Sequence, residues 1–336
     1  MDIQLLKQLG NIDQIAGIRE ARLLHGRGEG MEIAEFYNAA GLRFTVLPDR
    51  NLDLLDLSYK GVNFSFQSKN GPVNGNSFRS EDGEFCEQWP AGMLVTCGLD
   101  NVGGELRADA NYPAHGRISS IPAKHYGTET KWQGDNYVLR AFGETHQSKV
   151  FGHHLCVERT IQTGLYDKKL ILHDKLTNFE AEDTPYMLLY HINFGYPIVR
   201  SDSQIKISKH VRHDVAELCD DFEHMSAPID GIDEELYLFT DLGDKACGVI
   251  YNEALELGAY VAYDTKNLPN MLEWKRMKSH DYVAALEPCN TFCIDRQTAI
   301  KESKIAVLPA YSSIDNEIEI GILDGLSEIR SFISQL

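Results

Sequence analysis

Apolar and polar residues alternate with a period of two through most of this chain. Leu42-Arg43-Phe44-Thr45-Val46-Leu47, Tyr137-Val138-Leu139-Arg140-Ala141-Phe142, Leu170-Ile171-Leu172-His173-Asp174-Lys175-Leu176 and Glu317-Ile318-Glu319-Ile320-Gly321 are rich in branched and aromatic residues. Successive side chains on a strand point to opposite faces, so each segment reads as a strand. Gly, Asn and Asp separate them, as in Gln133-Gly134-Asp135-Asn136, which marks turns. Helical spacing is confined to the ends, in Ile3–Leu9 before Gly10 and in Gly325–Ile333. With too few helical segments for βαβ crossovers, the pattern predicts a mainly β fold, a large antiparallel β-sandwich with short peripheral helices. No linker, low-complexity tract or fixed-period repeat divides the chain. A single domain over residues 1–336 is therefore expected, with a short helical segment at about residues 1–20.

Composition narrows the choice of partner. The chain has 336 residues, 43% of them hydrophobic, enough for a large core without metals or disulfides. Its formal net charge of -18, from 32 Lys+Arg against 50 Asp+Glu, repels phosphate backbones and anionic lipid. Neither nucleic acid nor a membrane surface is an expected partner. The seven cysteines, at 86, 97, 156, 219, 247, 289 and 293, are odd in number, irregularly spaced and lack any CxxC pair. They read as free thiols in a reducing compartment rather than a disulfide framework or a structural zinc site. Met1-Asp2-Ile3-Gln4 does not resemble a signal peptide, and no apolar run reaches the length of a membrane span. A cytoplasmic protein is expected.

Three segments carry candidate chemistry. In Tyr112-Pro113-Ala114-His115-Gly116-Arg117-Ile118-Ser119, Gly116 permits close backbone approach, and His115 and Arg117 flank it as a proton donor and a guanidinium. The same tripeptide recurs at His25-Gly26-Arg27, but there it sits in a glycine-rich stretch that reads as a hairpin loop. Along Tyr186–Phe194, alternation puts Met187, Leu189, His191 and Asn193 on one face and Tyr186, Leu188, Tyr190, Ile192 and Phe194 on the other. Polar residues on such an apolar strand cost stability unless partnered, so His191 and Asn193 are either satisfied core residues or a site. Glu287 ends an apolar strand in Tyr282-Val283-Ala284-Ala285-Leu286-Glu287. In a cleft its pKa would rise and suit it to act as a base near neutrality, whereas at an exposed strand end it would simply meet water or an arginine. Arg50 and the pair Trp274-Lys275 are further candidates, because planar donors match hydroxyl pairs and indoles stack on CH faces; each is also a common surface or salt-bridge residue.

Together the segments resemble the galactose mutarotase-like superfamily, and within it the branch of aldose 1-epimerase family proteins known as DUF4432. The matching residues are Leu47-Pro48-Asp49-Arg50, Gly98-Leu99-Asp100-Asn101, His115-Gly116-Arg117-Ile118-Ser119 with Pro122-Ala123, His191-Ile192-Asn193, and Leu286-Glu287-Pro288-Cys289-Asn290, in that order. The resemblance implies a large twisted antiparallel supersandwich with a carbohydrate site in a cleft on one sheet. It also implies His191 as general acid, Glu287 as general base and His115 as a third active-site residue. Arg50, Asp100, Asn101, Arg117, Asn193, Trp274 and Lys275 would contact the substrate. Mutarotases carry a further acidic residue that grips sugar hydroxyls, and here Asp230, Asp233 and Glu234 are the candidates, with Glu234 favoured.

The reaction implied is anomer interconversion by acid–base ring opening, which needs neither a cofactor nor a metal. The expected partner is a small sugar, with a homodimer left open as the assembly. Two alternatives stand beside it: an isomerase or lyase acting on an acidic or modified sugar gripped by Arg50 and Arg117, and a non-catalytic sugar-binding protein. No metal site is expected, since His153 and His154 fall on opposite faces of a strand and His210, His213 and Asp214 read as an exposed polar segment.

Overall fold

The computed structural model describes residues 3–79, 84–104 and 112–336. Among them, two antiparallel sheets of twelve and eight strands face one another. The alternating segments are all strands: Leu42–Leu47, Asn136–Ser148, Lys169–Asn178 and Ser313–Asp324. Gly134-Asp135 is a two-residue hairpin connection, with Gln133 paired to Asn136. Helices are short and peripheral, and none among the described residues is long and apolar enough to cross a membrane. At the N-terminus the helical segment is briefer than expected. A helix covers Ile3–Leu6, a single turn covers Ile12–Gln14, and an edge strand begins at Gly17.

Why one face becomes the interior is legible in Asn136–Ser148. Its residues alternate between buried and partly exposed, with Tyr137, Leu139 and Ala141 entering the main core between the sheets. At the centre of the larger sheet this alternation of exposure disappears. Leu94–Leu99, Thr184–Phe194, Asp281–Cys289 and Asn270–Lys278 lie side by side there, and from Tyr186 to Phe194 every residue is buried. Both faces are covered. Tyr186, Leu188, Tyr190, Ile192 and Phe194 fill the inter-sheet core. Met187 and Leu189 pack on the outside with Val95, Cys97, Leu238, Leu272 and Cys289. This second apolar cluster is the floor on which the candidate site stands.

Candidate active site

His191 and Glu287 come from adjacent strands. Leu189 pairs with Cys289 and Ile192 with Leu286, a register that sets His191 across from Glu287. His191 Nε2 lies 3.0 Å from Glu287 Oε1, and both side chains are almost fully buried. The strand continues past Glu287 to Cys289, so the glutamate stands within the sheet rather than at its end. Burial pushes the Glu287 carboxyl well above the usual carboxylate range, and the charge of Glu234 adds to the effect. His191 is lowered to about 3, first by burial and then by His115. Two opposite charges so deeply desolvated are not recovered by their attraction here. The resting pair is therefore a carboxylic acid beside a neutral imidazole, with one proton between them.

The loop before Ile118–Ser120 delivers His115. Gly116 bridges Gly98 in parallel, held by Gly98 N–H donating to His115 O at 2.9 Å and Arg117 N–H donating to Gly98 O at 3.0 Å. Gly116 has φ +72, and a Cβ there would fall 2.0 Å from Gly98 O. Only glycine fits this approach. His115 is thereby brought to His191, with ring centroids 5.8 Å apart and edge to face. Burial lowers His115 to about 4, so it too rests neutral.

Aromatic rings close the surroundings. Trp274 stands 5.4 Å from the His191 ring and Trp89 5.3 Å, while the two indoles are 6.0 Å apart. Phe85 packs 4.8 Å from His115. Phe85 and Trp89 were not singled out from sequence. The signal available was an aromatic pair in and just after the short helix Glu84–Gln88, immediately before Pro90-Ala91-Gly92, but nothing local says which face it covers. Trp274 Nε1 donates to Glu234 Oε2 at 2.9 Å, and Arg276 also reaches that carboxylate. Of the three acidic candidates, Glu234 is thus tied to the site's aromatic wall. Asp230 instead accepts from Ser279; Asp233, like Glu234, is exposed.

The other expected contacts are distributed differently. Asp100 pairs with Arg117 at the start of the His115 loop. Asn101 holds that loop's backbone, donating to Gly104 O and Pro113 O. Asn193 is buried and donates to Gly92 O and to His191 O, which steadies the His191 strand. Arg50 is buried and donates to Val73 O at 2.9 Å. Lys275 follows Trp274 on the same strand and so points through the opposite face. It bonds the carbonyls of Asp221 and His224 and lies 3.3 Å from Glu235. Adjacent residues on a strand cannot share a face, and that is why Trp274 and Lys275 part company. Cys97, Cys289 and Cys293 stand close to Glu287, and burial raises each thiol, which leaves them neutral and poorly nucleophilic. A cavity of about 380 Å³ opens beside Tyr186, Asn290 and Lys304, but none of the expected site residues lines it.

Two large facing antiparallel sheets with few, short helices give the chain the galactose mutarotase-like fold. A protein from Klebsiella pneumoniae subsp. pneumoniae provisionally named an aldose 1-epimerase superposes with a TM-score of 0.85 at 22% identity, over 95% of this chain and 86% of that one. A galactose mutarotase-like protein from Clostridium acetobutylicum gives 0.59 at 16% identity, over 93% and 99%. Galactose 1-epimerase from Lactobacillus acidophilus gives 0.58 at 10%, over 92% and 99%. No curated protein matches the chain in sequence. The chain belongs to the DUF4432 family, described as a domain of unknown function, which matches residues 28–322.

Proposed function

We propose that this protein is an isomerase of the aldose 1-epimerase type, interconverting the anomers of a neutral sugar. The observation that carries the reading is the 3.0 Å approach of His191 Nε2 to Glu287 Oε1 within a wall of indole and imidazole rings. The two oxygens of a hemiacetal hang from one carbon, so an acid and a base this close can address both. Contact at this distance lets the shared proton pass from Glu287 to His191 when sugar hydroxyls are at hand to solvate the charges. Glutamate then takes the proton from the anomeric hydroxyl while the imidazolium gives its proton to the ring oxygen. The C1–O5 bond breaks, the open aldehyde rotates about C1–C2, and the reverse transfers close the ring on the other face. Each opening step discharges both side chains, and burial favours that direction. General acid–base transfer typically contributes about 10²–10⁴-fold per group.

Several polar atoms fit hydroxyl recognition. Trp89 Nε1, His115 Nδ1 and His191 Nδ1 are buried with no hydrogen-bond partner among the described residues, and a sugar offers donors and acceptors for all three. Indole faces at Trp89 and Trp274 suit the CH faces of a pyranose. A neutral sugar is favoured over an acidic one because Arg50 is committed to Val73 O and the charge of Arg117 is balanced by Asp100. The test is the relaxation of freshly dissolved aldose anomers, followed by polarimetry or NMR exchange spectroscopy. The protein should accelerate it, and Glu287→Gln should abolish the acceleration while retaining the wild-type circular dichroism. Absence of acceleration across a broad panel of neutral aldoses would overturn the proposal, and ligand affinity without turnover would make this a sugar-binding protein.

A further inference from the structure

The outer face of the smaller sheet carries a second chemical cluster, unconnected with the acid–base pair. Glu144 and His146 lie two residues apart on Asn136–Ser148, and His154 and Cys156 two apart on His154–Gly164. The strands pair in register, with His146 opposite Cys156. Inward positions of the same strands, Leu139, Ala141, Leu155 and Val157, enter the core, so the cluster faces outward. His146 Nε2 lies 3.3 Å from Glu144 Oε2 and 3.7 Å from Cys156 Sγ. One ligand atom from each of the three residues falls within 4.8 Å of the others.

We propose that Glu144, His146 and Cys156 form a binding site for a borderline-soft divalent cation of the zinc type. Tetrahedral zinc with ordinary bond lengths places a nitrogen and an oxygen ligand about 3.3 Å apart, and a nitrogen and a sulfur about 3.6 Å apart. The two edges at His146 already have these lengths, before any ion draws the third edge in. The donor set points the same way, since thiolate with imidazole and a single carboxylate selects zinc-like ions over magnesium or calcium. His146 Nδ1 lies 2.9 Å from His154 Nε2. With the ring proton on Nδ1 and donated to His154, Nε2 turns its lone pair between the carboxylate and the sulfur. Such outer partners fix the tautomer and orientation of a metal-binding histidine. Phe179 packs on the His146 and His154 rings, with centroids at 6.3 and 5.1 Å. All four side chains spring from strands, which hold a ligand set more rigidly than loops do. Three protein ligands leave a fourth position for water or an incoming group. Spacing along the chain could not reveal the site, because its parts meet only across the strand pairing.

The test titrates the full chain, after treatment with a chelator and desalting, with Zn²⁺ in competition with a chromophoric chelator and with Co²⁺ under anaerobic conditions. One equivalent of either ion should bind, and the Co²⁺ form should show thiolate-to-metal charge-transfer absorption. Cys156→Ser should remove that absorption and weaken Zn²⁺ at least tenfold, and Glu144→Gln should weaken Zn²⁺ with melting behaviour intact. His154→Ala should cost about 10–100-fold through the outer shell alone. Cys86→Ser, at an exposed thiol, should change nothing. Should Cys156→Ser fail to fold, the Glu144→Gln affinity and the wild-type Co²⁺ spectrum decide. The proposal is overturned if no stoichiometric binding occurs, or if it survives Glu144→Gln and Cys156→Ser unchanged.

Discussion

Glu287 is the residue whose behaviour is most constrained by its place. A carboxyl that burial raises well above 4.5 binds its proton more tightly folded than unfolded. Its contribution to stability is therefore fully present below the unfolded value and is lost as pH rises through the folded one. Wild-type stability should carry a falling component above about pH 4.5, of up to about 1.4 kcal/mol per pH unit over the window between the two values. Glu287→Gln preserves shape and lacks the titration, so the variant should gain on the wild type as pH rises. Urea melts of the two proteins at several pH values check this, and parallel pH profiles would show that Glu287 is ionised in the fold. His191 and His115 act in the opposite sense. Lowered from 6.5 to about 3 and about 4, they withdraw stability as pH falls below 6.5. In NMR titrations both imidazoles should stay neutral well below pH 6.5.

At the scale of elements, alternation and backbone shape decide what a neighbouring residue does. Trp274 and Lys275 are consecutive, yet the first joins the aromatic wall and the second holds the loop at Asp221 and His224. Lys275 also pairs with Glu235, and its charge is the largest that offsets the burial of Glu273. Lys275→Met should thus destabilise the fold by about 1–3 kcal/mol, since it leaves two loop carbonyls and the Glu235 carboxylate without their donor, with little effect on the proposed sugar affinity in the folded fraction. Trp274→Phe should do the reverse, leaving stability near wild type and weakening the proposed sugar binding through loss of indole area and of the tie to Glu234. Denaturant melts alongside sugar titrations separate the two. The His115 loop makes a similar contrast. Gly30 and Gly116 both have positive φ, but a Cβ at Gly30 meets nothing within 4 Å, whereas one at Gly116 meets Gly98 O at 2.0 Å. Gly30→Ala should cost only the left-handed backbone term of about 1–2 kcal/mol. Gly116→Ala should cost more and unseat His115, read as a larger fall in melting temperature together with loss of any anomer interconversion.

Across the whole molecule, the two sheets are joined by more than apolar packing. Arg159 is fully buried in the smaller sheet's His154–Gly164 strand and reaches both layers. It donates to both oxygens of Asp174 at 2.7 and 2.6 Å, to Asp53 Oδ1 at 2.8 Å, to Thr96 Oγ1 at 2.9 Å and to Asn51 O at 3.1 Å. Tyr190, the residue before His191, donates to the same Asp174 at 2.8 Å, so the network lies directly behind the site. None of this was legible in the sequence. The strands were, because their period is local, and so was the sharing of a face by Met187, Leu189 and His191. Arg159 and Asp53 are 106 positions apart; alternation puts Arg159 on the core face with Leu155, Val157 and Ile161, but it does not say which carboxylates meet it there. The site was legible in part for the same reason: residue types at His115, His191 and Glu287 are visible locally, but the strand order that gathers them, and the approach of Phe85 and Trp89, are not. A buried guanidinium between two carboxylates gives a strong test of the two-layer assembly. Arg159→Leu leaves Asp53 and Asp174 desolvated without their cation and should cost about 3–5 kcal/mol. Arg159→Lys keeps the charge but not the fork, and should fall between it and wild type. Adding Asp53→Asn and Asp174→Asn to Arg159→Leu removes the stranded charges, so the triple variant should recover part of the loss. If urea melts show instead that the losses simply add, the three residues do not act as one network, and the sheets are held by the apolar core alone.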